Sequence, residues 1–347
     1  MLIQPEGKWI DCFARNFKAC AIGPGVSVAL LCETQSRAIN VATAKLALAQ
    51  LGAACVTIEV PTPPQTEIVP VRSTGASDAI QHSQAVIAAL SSVDVVIDCT
   101  VEGLLHAPEL PRILKSGARL MMISNEHPEI LERLGTDPGL EARVQKGVAR
   151  IRAARQMRVT SDAGTDLSIS LENCPAGGNW GYCTLPGTRS HWPGGLIAAF
   201  PNKGGVNGRL HLCPGDANLT FKRYFETEVV LTIEEDFVVS IEGAGLDAEL
   251  LRSYFAAWED RNAYAVSHVG WGMNPRARWD SMVMYDKADI NGTEQRVFAG
   301  NFLFSTGANE HAGRFTKGHF DIPMRGCSIE LDGSPVVECG QLLGELK

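Results

Sequence analysis

The segment that decides the fold of the first half reads VSVALLC (26–32), SRAINVATAKLALAQLG (36–52) and ACVTIEV (54–60). The first run is short and rich in branched apolar side chains, which is typical of a buried strand, and the last run is the next predicted strand. The middle run has the spacing of a helix and ends at Gly52, a residue that commonly terminates helices. This order predicts two parallel strands joined by a helix.

The same alternation continues to about residue 155. The sequence predicts a helix over 77–90, strands over 93–99 and 118–124, and a further helix over 137–155. Strands that alternate with helices form a parallel sheet with helices on both faces. We therefore expect residues 1–157 to form an α/β domain.

The sequence pattern changes from residue 158 onward. Short strand-like runs, separated by Gly, Pro and Asn, are interrupted by a helical pattern over 247–266. The predicted strands lie at 158–162, 165–171, 218–225, 228–233, 237–243, 296–305, 318–324 and 328–339. Residues 158–347 are therefore predicted to form an α+β domain that is largely antiparallel.

Composition excludes several classes of protein. The chain has 347 residues, 45% of them hydrophobic, and a net charge of −8. This is the composition of a globular protein, and an acidic balance disfavours a nucleic-acid partner. No apolar run reaches the roughly 18 residues of a membrane span, and the start MLIQPEGKWID lacks the pattern of a signal peptide.

The ten cysteines include no C-x-x-C pair, and several of them, such as Cys55 and Cys99, lie in apolar runs. We therefore expect reduced, buried cysteines in a cytoplasmic protein rather than a zinc or iron–sulfur cluster. No G-x-G-x-x-G or G-x-x-x-x-G-K-[ST] motif is placed between a strand and a helix, which disfavours a nucleotide cofactor.

The sharpest local pattern is the pair His319 and Asp321 in KGHFDIPM. Alternate residues of a strand share a face, so the imidazole and the carboxylate would point the same way and form a two-ligand unit for a divalent metal. His268, in SHVGWGMNPRAR directly after the predicted helix, is a candidate third ligand. Two histidines and one carboxylate are the ligands of non-haem Fe(II) oxygenases. A surface ion pair, and a loop histidine at a helix end, are the alternatives.

Three other histidines are candidates for a substrate pocket. His106 lies just past the strand predicted over 93–99, where open α/β sheets bind ligands, and a neutral histidine can accept a proton. A histidine that only braces the following helix is the alternative. His191 and His311 lie in Gly-rich loops and either line an aromatic pocket or are exposed.

Four segments resemble the M29 family of metalloaminopeptidases: GTDLSISL (164–171), HVGWGMNPRAR (268–278), AGNFLFSTG (299–307) and GHFDIPM (318–324). This resemblance implies an M29-like scaffold across most of the chain. The two-metal site of that family is not matched, because its ligands are replaced here by His268, by Leu303 and by Val206 or Asn207.

The full chain resembles the 2,5-dihydroxypyridine 5,6-dioxygenase family, which shares that scaffold. The resemblance implies one Fe(II) per chain, held by His268, His319 and Asp321, with His106 as the catalytic base. It also implies that Ser305, His191 and His311 line the substrate pocket. The implied reaction opens the C5–C6 bond of 2,5-dihydroxypyridine with O₂ to give N-formylmaleamate, in nicotinate or nicotine breakdown. The partners are then a hydroxypyridine and O₂, and we expect a homo-oligomer.

Two other readings of the sequence stay open. One is an M29-type peptidase with a rearranged metal site, which would hold two zinc or cobalt ions per chain. The other is a non-catalytic protein that binds a metal or a ligand on the same scaffold.

Overall fold

The computed structural model describes residues 4–70 and 76–347. Its α-helices are α1 (Gly7–Ala19), α2 (Ala38–Gln50), α3 (Gln84–Leu90), α4 (Leu110–Lys115), α5 (Pro128–Arg133), α6 (Pro138–Ala153), α7 (Leu246–Ala257) and α8 (Thr293–Val297). Its strands are β1 (Ser27–Glu33), β2 (Ala54–Val60), β3 (Val95–Asp98), β4 (Arg119–Ile123), β5 (Gln156–Thr160), β6 (Asp166–Ser170), β7 (Ala176–Asn179), β8 (Arg189–Trp192), β9 (Leu196–Ala199), β10 (Val206–Leu212), β11 (Ala217–Asn218), β12 (Arg223–Tyr224), β13 (Val229–Glu234), β14 (Phe237–Glu242), β15 (Val266–Gly272), β16 (Phe302–Asn309), β17 (Arg314–Met324), β18 (Ser328–Leu331), β19 (Ser334–Glu338) and β20 (Gln341–Leu342).

The first half forms the predicted parallel sheet. Its order is β2-β1-β3-β4-β8, and every neighbouring pair is parallel. Alternate residues of β1 enter two different cores: Val28 and Leu30 pack with α1 and α2, whereas Ala29 and Leu31 pack with α3 and α4. Each buried leucine contributes about 1.5–3 kcal/mol relative to an exposed one. Both faces of the sheet are therefore covered by helices, as the sequence predicts.

The second half forms two antiparallel sheets and a two-stranded pair, β11-β12. One has eight strands, in the order β14-β13-β10-β6-β5-β18-β19-β20, and the other has five, in the order β17-β16-β15-β9-β7. Side chains from both sheets, such as Leu210 and Phe304, join one continuous core with α6 and α7. The mixed α+β architecture of this half is confirmed.

The parallel sheet takes its fifth strand from the second half. β8 pairs with β4 in parallel register, from Leu120 opposite Arg189 to Ile123 opposite Trp192. β8 therefore lies across the expected boundary, and the division into residues 1–157 and 158–347 stays a prediction. No helix in the described ranges is both long and apolar enough to span a bilayer.

Several sequence predictions were wrong in detail. The helix predicted over 77–90 begins only at Gln84, and the one predicted over 247–266 ends at Ala257, before a 3₁₀ turn and β15. The strand predicted over 218–225 is replaced by the two-residue strands β11 and β12. The one predicted over 296–305 begins at Phe302, because its first residues belong to α8.

Cysteine burial is only partly as expected. All ten cysteines are free, and Cys99 is buried. Cys55 and Cys339 are exposed. Cys55 lies on β2, an edge strand, so an apolar run there does not guarantee a buried side chain.

Candidate metal centre and substrate pocket

Three neighbouring strands bring His268, His319 and Asp321 together. β16 lies between β15 and β17, and its Gly307 and Ser305 pair with His319 and Asp321. His268 lies in β15, not in a loop after a helix, at a shift of register between β15 and β16. Such irregularities commonly redirect a side chain.

The three side chains form a compact group. One potential ligand atom from each lies within 4.8 Å of the others. His319 Nε2 is 3.2 Å from Asp321 Oδ2, and His268 Nε2 is 3.7 Å from Asp321 Oδ1. The rings of His268 and His319 have centroids 5.7 Å apart.

Burial and charge set the protonation of this group. Burial lowers the pKa of His268 to about 4; Asp321 partly offsets this effect and His319 reinforces it. Burial alone would raise the pKa of Asp321, but His319 and Arg296 hold it well below its usual range. A neutral His268 beside an ionised carboxylate has the protonation state that a divalent cation requires of its ligands.

Two buried polar atoms of the group support a fit to a metal ion. His268 and Asp321 are only 7% and 3% exposed. His268 Nδ1 and Asp321 Oδ1 have no hydrogen-bond partner among the described residues. Because buried polar atoms without partners cost free energy, an unpaired oxygen at this point is consistent with a cation ligand. The donor set is two imidazoles and one carboxylate, which fits Fe(II) with open coordination positions.

Arg296 is a charged neighbour that sequence reasoning missed. It lies in α8, and its Nε donates to Asp321 Oδ2 over 2.6 Å. Sequence reasoning placed Arg296 at the start of a strand, and a lone arginine before an apolar run gives no signal of a contact with Asp321, which is 25 residues away.

His106 comes from the first half of the chain and faces the group formed by His268, His319 and Asp321. Its ring centroid is 6.2 Å from that of His319. It lies in the turns between β3 and α4, not on a helix. Asp98, at the end of β3, fixes this segment by accepting hydrogen bonds from the backbone of Thr100 (2.9 Å) and Leu104 (2.7 Å). The end of a parallel strand therefore positions His106.

The surroundings of His106 favour its neutral form. Burial lowers its pKa well below the usual value, and the charges of His319, Arg189 and His268 lower it further. His106 is therefore a neutral imidazole at pH 7 and has the capacity to accept a proton.

The three expected pocket residues lie at different depths. His191 lies on β8, not in a loop as the sequence predicted; it lines the pocket, and burial lowers its pKa to about 4. Ser305 is fully buried on β16, and its Oγ has no hydrogen-bond partner among the described residues. His311 is exposed and contacts Phe200 at 5.5 Å between ring centroids, and Phe200 in turn contacts His268.

One pocket is lined by residues from both halves of the chain, among them His106, His191, His268, His319 and Asp321, whereas Ser305 and His311 are not part of its lining. The residues that line it and that sequence reasoning did not identify are Glu102, Leu105, Met122, Leu196, Asn291, Thr293 and Arg296. They come from loops and short elements, and neither periodicity nor a motif marks them.

Comparisons with known proteins identify the family of this chain. A model of the 2,5-dihydroxypyridine 5,6-dioxygenase family matches residues 8–344. A curated 2,5-dihydroxypyridine 5,6-dioxygenase from Pseudomonas putida KT2440 is 39% identical over 267 residues, which are 76% of this chain and 75% of that protein.

Two solved structures are similar in fold. The 2,5-dihydroxypyridine dioxygenase from Pseudomonas putida KT2440 superposes with a TM-score of 0.93 at 34% identity, over 99% of this chain and all of that one. AmpT from Thermus thermophilus gives a TM-score of 0.56 at 13% identity, over 97% of this chain and 99% of that one, which shows a shared fold alone. This chain belongs to the 2,5-dihydroxypyridine 5,6-dioxygenase family.

Proposed function

We propose that this chain is an Fe(II)-dependent dioxygenase that opens the C5–C6 bond of 2,5-dihydroxypyridine with O₂. The observation that carries the proposal is the placement of His106 beside His268, His319 and Asp321, in one pocket formed by both halves of the chain. Family membership supports the substrate and the ring cleavage.

His268, His319 and Asp321 would hold one Fe(II) per chain. Three protein ligands leave about three coordination positions, which is the arrangement of non-haem Fe(II) oxygenases. When bound, Fe(II) supplies coordination positions for O₂ and substrate and takes part in electron transfer from the electron-rich ring. The electrons come from the substrate, so no flavin, nicotinamide or oxo-acid is required.

His106 would act as the general base. Its neutral imidazole lines the same pocket as the ligand group, so a hydroxypyridine bound in this pocket would have its ring hydroxyl near a proton acceptor. Removal of that proton raises the electron density of the ring and prepares it for oxidation. Small-molecule sites commonly lie in such clefts between domains.

His191, which lines the pocket, would orient the substrate. Roles of Ser305 and His311 in substrate contact stay predictions, because neither side chain is part of the pocket lining. Ser305 is fully buried on the strand between the proposed ligand strands, and the ring of His311 contacts Phe200, a neighbour of His268. A cytoplasmic location and homo-oligomeric assembly likewise stay predictions from the sequence.

The product distinguishes this reaction from hydrolysis or simple oxidation. The formula of 2,5-dihydroxypyridine plus one O₂ equals that of N-formylmaleamic acid, so both oxygen atoms of O₂ remain in the product. We expect mass spectrometry to find both labelled atoms when Fe(II)-loaded protein turns over under ¹⁸O₂, and no product from His319→Ala. Incorporation of one labelled atom or none would contradict the proposal.

A further inference from the structure

The two oxygens of Asp321 have different environments. Oδ2 accepts a hydrogen bond from Arg296 Nε at 2.6 Å and lies 3.2 Å from His319 Nε2. Oδ1 has no hydrogen-bond partner among the described residues and lies 3.7 Å from His268 Nε2. The carboxylate therefore has one oxygen in an ion pair and one buried oxygen without such a partner.

Arg296 is held in this position by its own part of the chain. Its side chain is only 12% exposed, and its Nη1 donates to the carbonyl oxygen of Asn291 at 3.3 Å. Asn291 and Thr293 flank the start of α8, and their backbone N–H groups both donate to the buried carboxylate of Glu126, at 2.7 and 2.8 Å. Glu126 follows β4, so the first half of the chain fixes the segment that carries Arg296.

We propose that Arg296 is a positioning residue that makes Asp321 bind the metal through a single oxygen. This inference rests on the proposed function, because it takes Asp321 to be a metal ligand. The guanidinium retains Oδ2 in a charge-assisted hydrogen bond, and Oδ1 is left for the metal.

The binding mode of Asp321 determines how many positions stay open. Two histidines and a carboxylate that binds through one oxygen leave about three open positions on an octahedral ion. If the carboxylate binds through both oxygens, it takes one further position, and about two stay open. Chelation would therefore remove one of the positions that are open to O₂, to the substrate and to water. By keeping Oδ2 in the ion pair, Arg296 keeps the third position open.

An arginine suits this role better than a lysine. Its planar guanidinium donates hydrogen bonds in fixed directions, so one side chain holds both Asp321 Oδ2 and the Asn291 carbonyl. A lysine has a single, rotatable ammonium group and would keep the charge without this geometry.

The test compares Arg296→Gln and Arg296→Lys with the wild type, using Mn(II) as an air-stable probe for crystallography and Fe(II) for turnover. The matched control is Arg314→Gln, which removes a second buried arginine–aspartate pair on β17 (Arg314 Nη1 to Asp236 Oδ2, 3.1 Å) outside the pocket lining.

In the wild type we expect one Asp321 oxygen at ligand distance from Mn(II), with Arg296 on the other. In Arg296→Gln we expect both oxygens at ligand distance, retained metal, and a kcat lower by about 10–100-fold, the usual effect of losing a partner of a metal ligand. Arg296→Lys is expected to recover part of kcat, and Arg314→Gln to keep the one-oxygen mode and the kcat per folded molecule.

Several results would overturn the inference. If both oxygens of Asp321 bind Mn(II) in the wild type, the inference is wrong. This test needs no variant, so it holds even if Arg296→Gln fails to fold. One-oxygen binding in Arg296→Gln also contradicts it, as does loss of metal from that variant, which would mean that Arg296 only braces the site. Wild-type protein that binds no Mn(II) at His268, His319 and Asp321 would instead refute the proposed function itself.

Discussion

Burial of the polar side chains of His268 and Asp321 costs free energy unless a binding partner satisfies their polar atoms. His268 and Asp321 are almost fully enclosed, and each has an atom without a hydrogen bond within the described part of the chain. Unpaired buried polar groups cost about 1–3 kcal/mol each. A site that retains such groups is organised for a ligand rather than for stability.

His106→Ala is expected to lose turnover and keep the metal. General-base catalysis contributes about 10²–10⁴-fold, so kcat should fall by this order. The residual rate should rise with pH, because solvent then deprotonates the substrate hydroxyl without help. Iron content and a pH–rate profile on one preparation are the measurements.

His211→Ala is the matched control for this variant, because His211 lies on β10, away from the pocket lining. We expect it to keep kcat. If iron-replete His106→Ala retains a near wild-type kcat across neutral pH, His106 is not the base.

At the scale of elements, β15 depends on close approach to its neighbours. A Cβ added at Gly270 would lie 1.8 Å from the carbonyl oxygen of Ile197 on β9. Gly270→Ala must therefore push two paired strands apart, and overpacking of this kind costs about 1–3 kcal/mol or more. Urea unfolding should show this loss. Gly177→Ala on β7, where nothing lies within 4 Å, should be close to neutral. Equal midpoints for the two variants would contradict this account of β15.

The turn between β10 and β11 predicts a pH dependence of stability. Asp216 accepts hydrogen bonds from the backbone of Cys213 (2.8 Å) and Arg325 (2.7 Å), and burial raises its pKa to about 6. The folded state therefore binds more protons than the unfolded state between about pH 4 and 6, so this carboxyl makes the protein more stable as the pH falls.

Lowering the pH from 7 to 5 should add about 1 kcal/mol to the free energy of unfolding through Asp216. This contribution should be missing in Asp216→Asn. The measurement is urea unfolding of both proteins at the two pH values, with the difference between their pH effects as the result. The same pH effect in both proteins would show that Asp216 does not retain its proton on folding.

The elements differ in how closely the sequence predicts them. The strand over 26–32 and the following helix were predictable because local patterning and burial agree there, whereas the strand over 54–60 forms as predicted although most of it is exposed. The end of α7 at Ala257 was not predictable. The segment AAWEDRNAY keeps a composition typical of helices, but strand pairing places Val266 in a sheet, so the helix ends before it. The pair His319 and Asp321 was predictable, because alternate residues of a strand point to the same face and both lie in one short segment. Arg296 lies 25 residues away in the sequence and comes close to Asp321 only when the chain is folded.

At the scale of the whole molecule, the fold is expected to stand without its metal. Three large apolar cores hold the two halves of the chain together without any metal ligand contributing to their burial of apolar surface. His319→Ala should therefore lose stoichiometric iron and keep both its far-UV circular dichroism and a cooperative thermal transition. Metal should raise the Tm of the wild type only through binding linkage. An unfolded His319→Ala, or one that keeps iron and turnover, would contradict this prediction.

The central claim is that one Fe(II) per chain, bound by two histidines and one aspartate, carries ring cleavage. The most direct measurement is O₂ uptake with 2,5-dihydroxypyridine during anaerobic titration of apoprotein with Fe(II), beside a zinc-loaded sample verified free of iron. The account predicts a rate that rises with bound iron and saturates at one per chain, and an inactive zinc form, since zinc has no redox chemistry. Oxygen uptake by the zinc form, or saturation at two metal ions per chain, would contradict it.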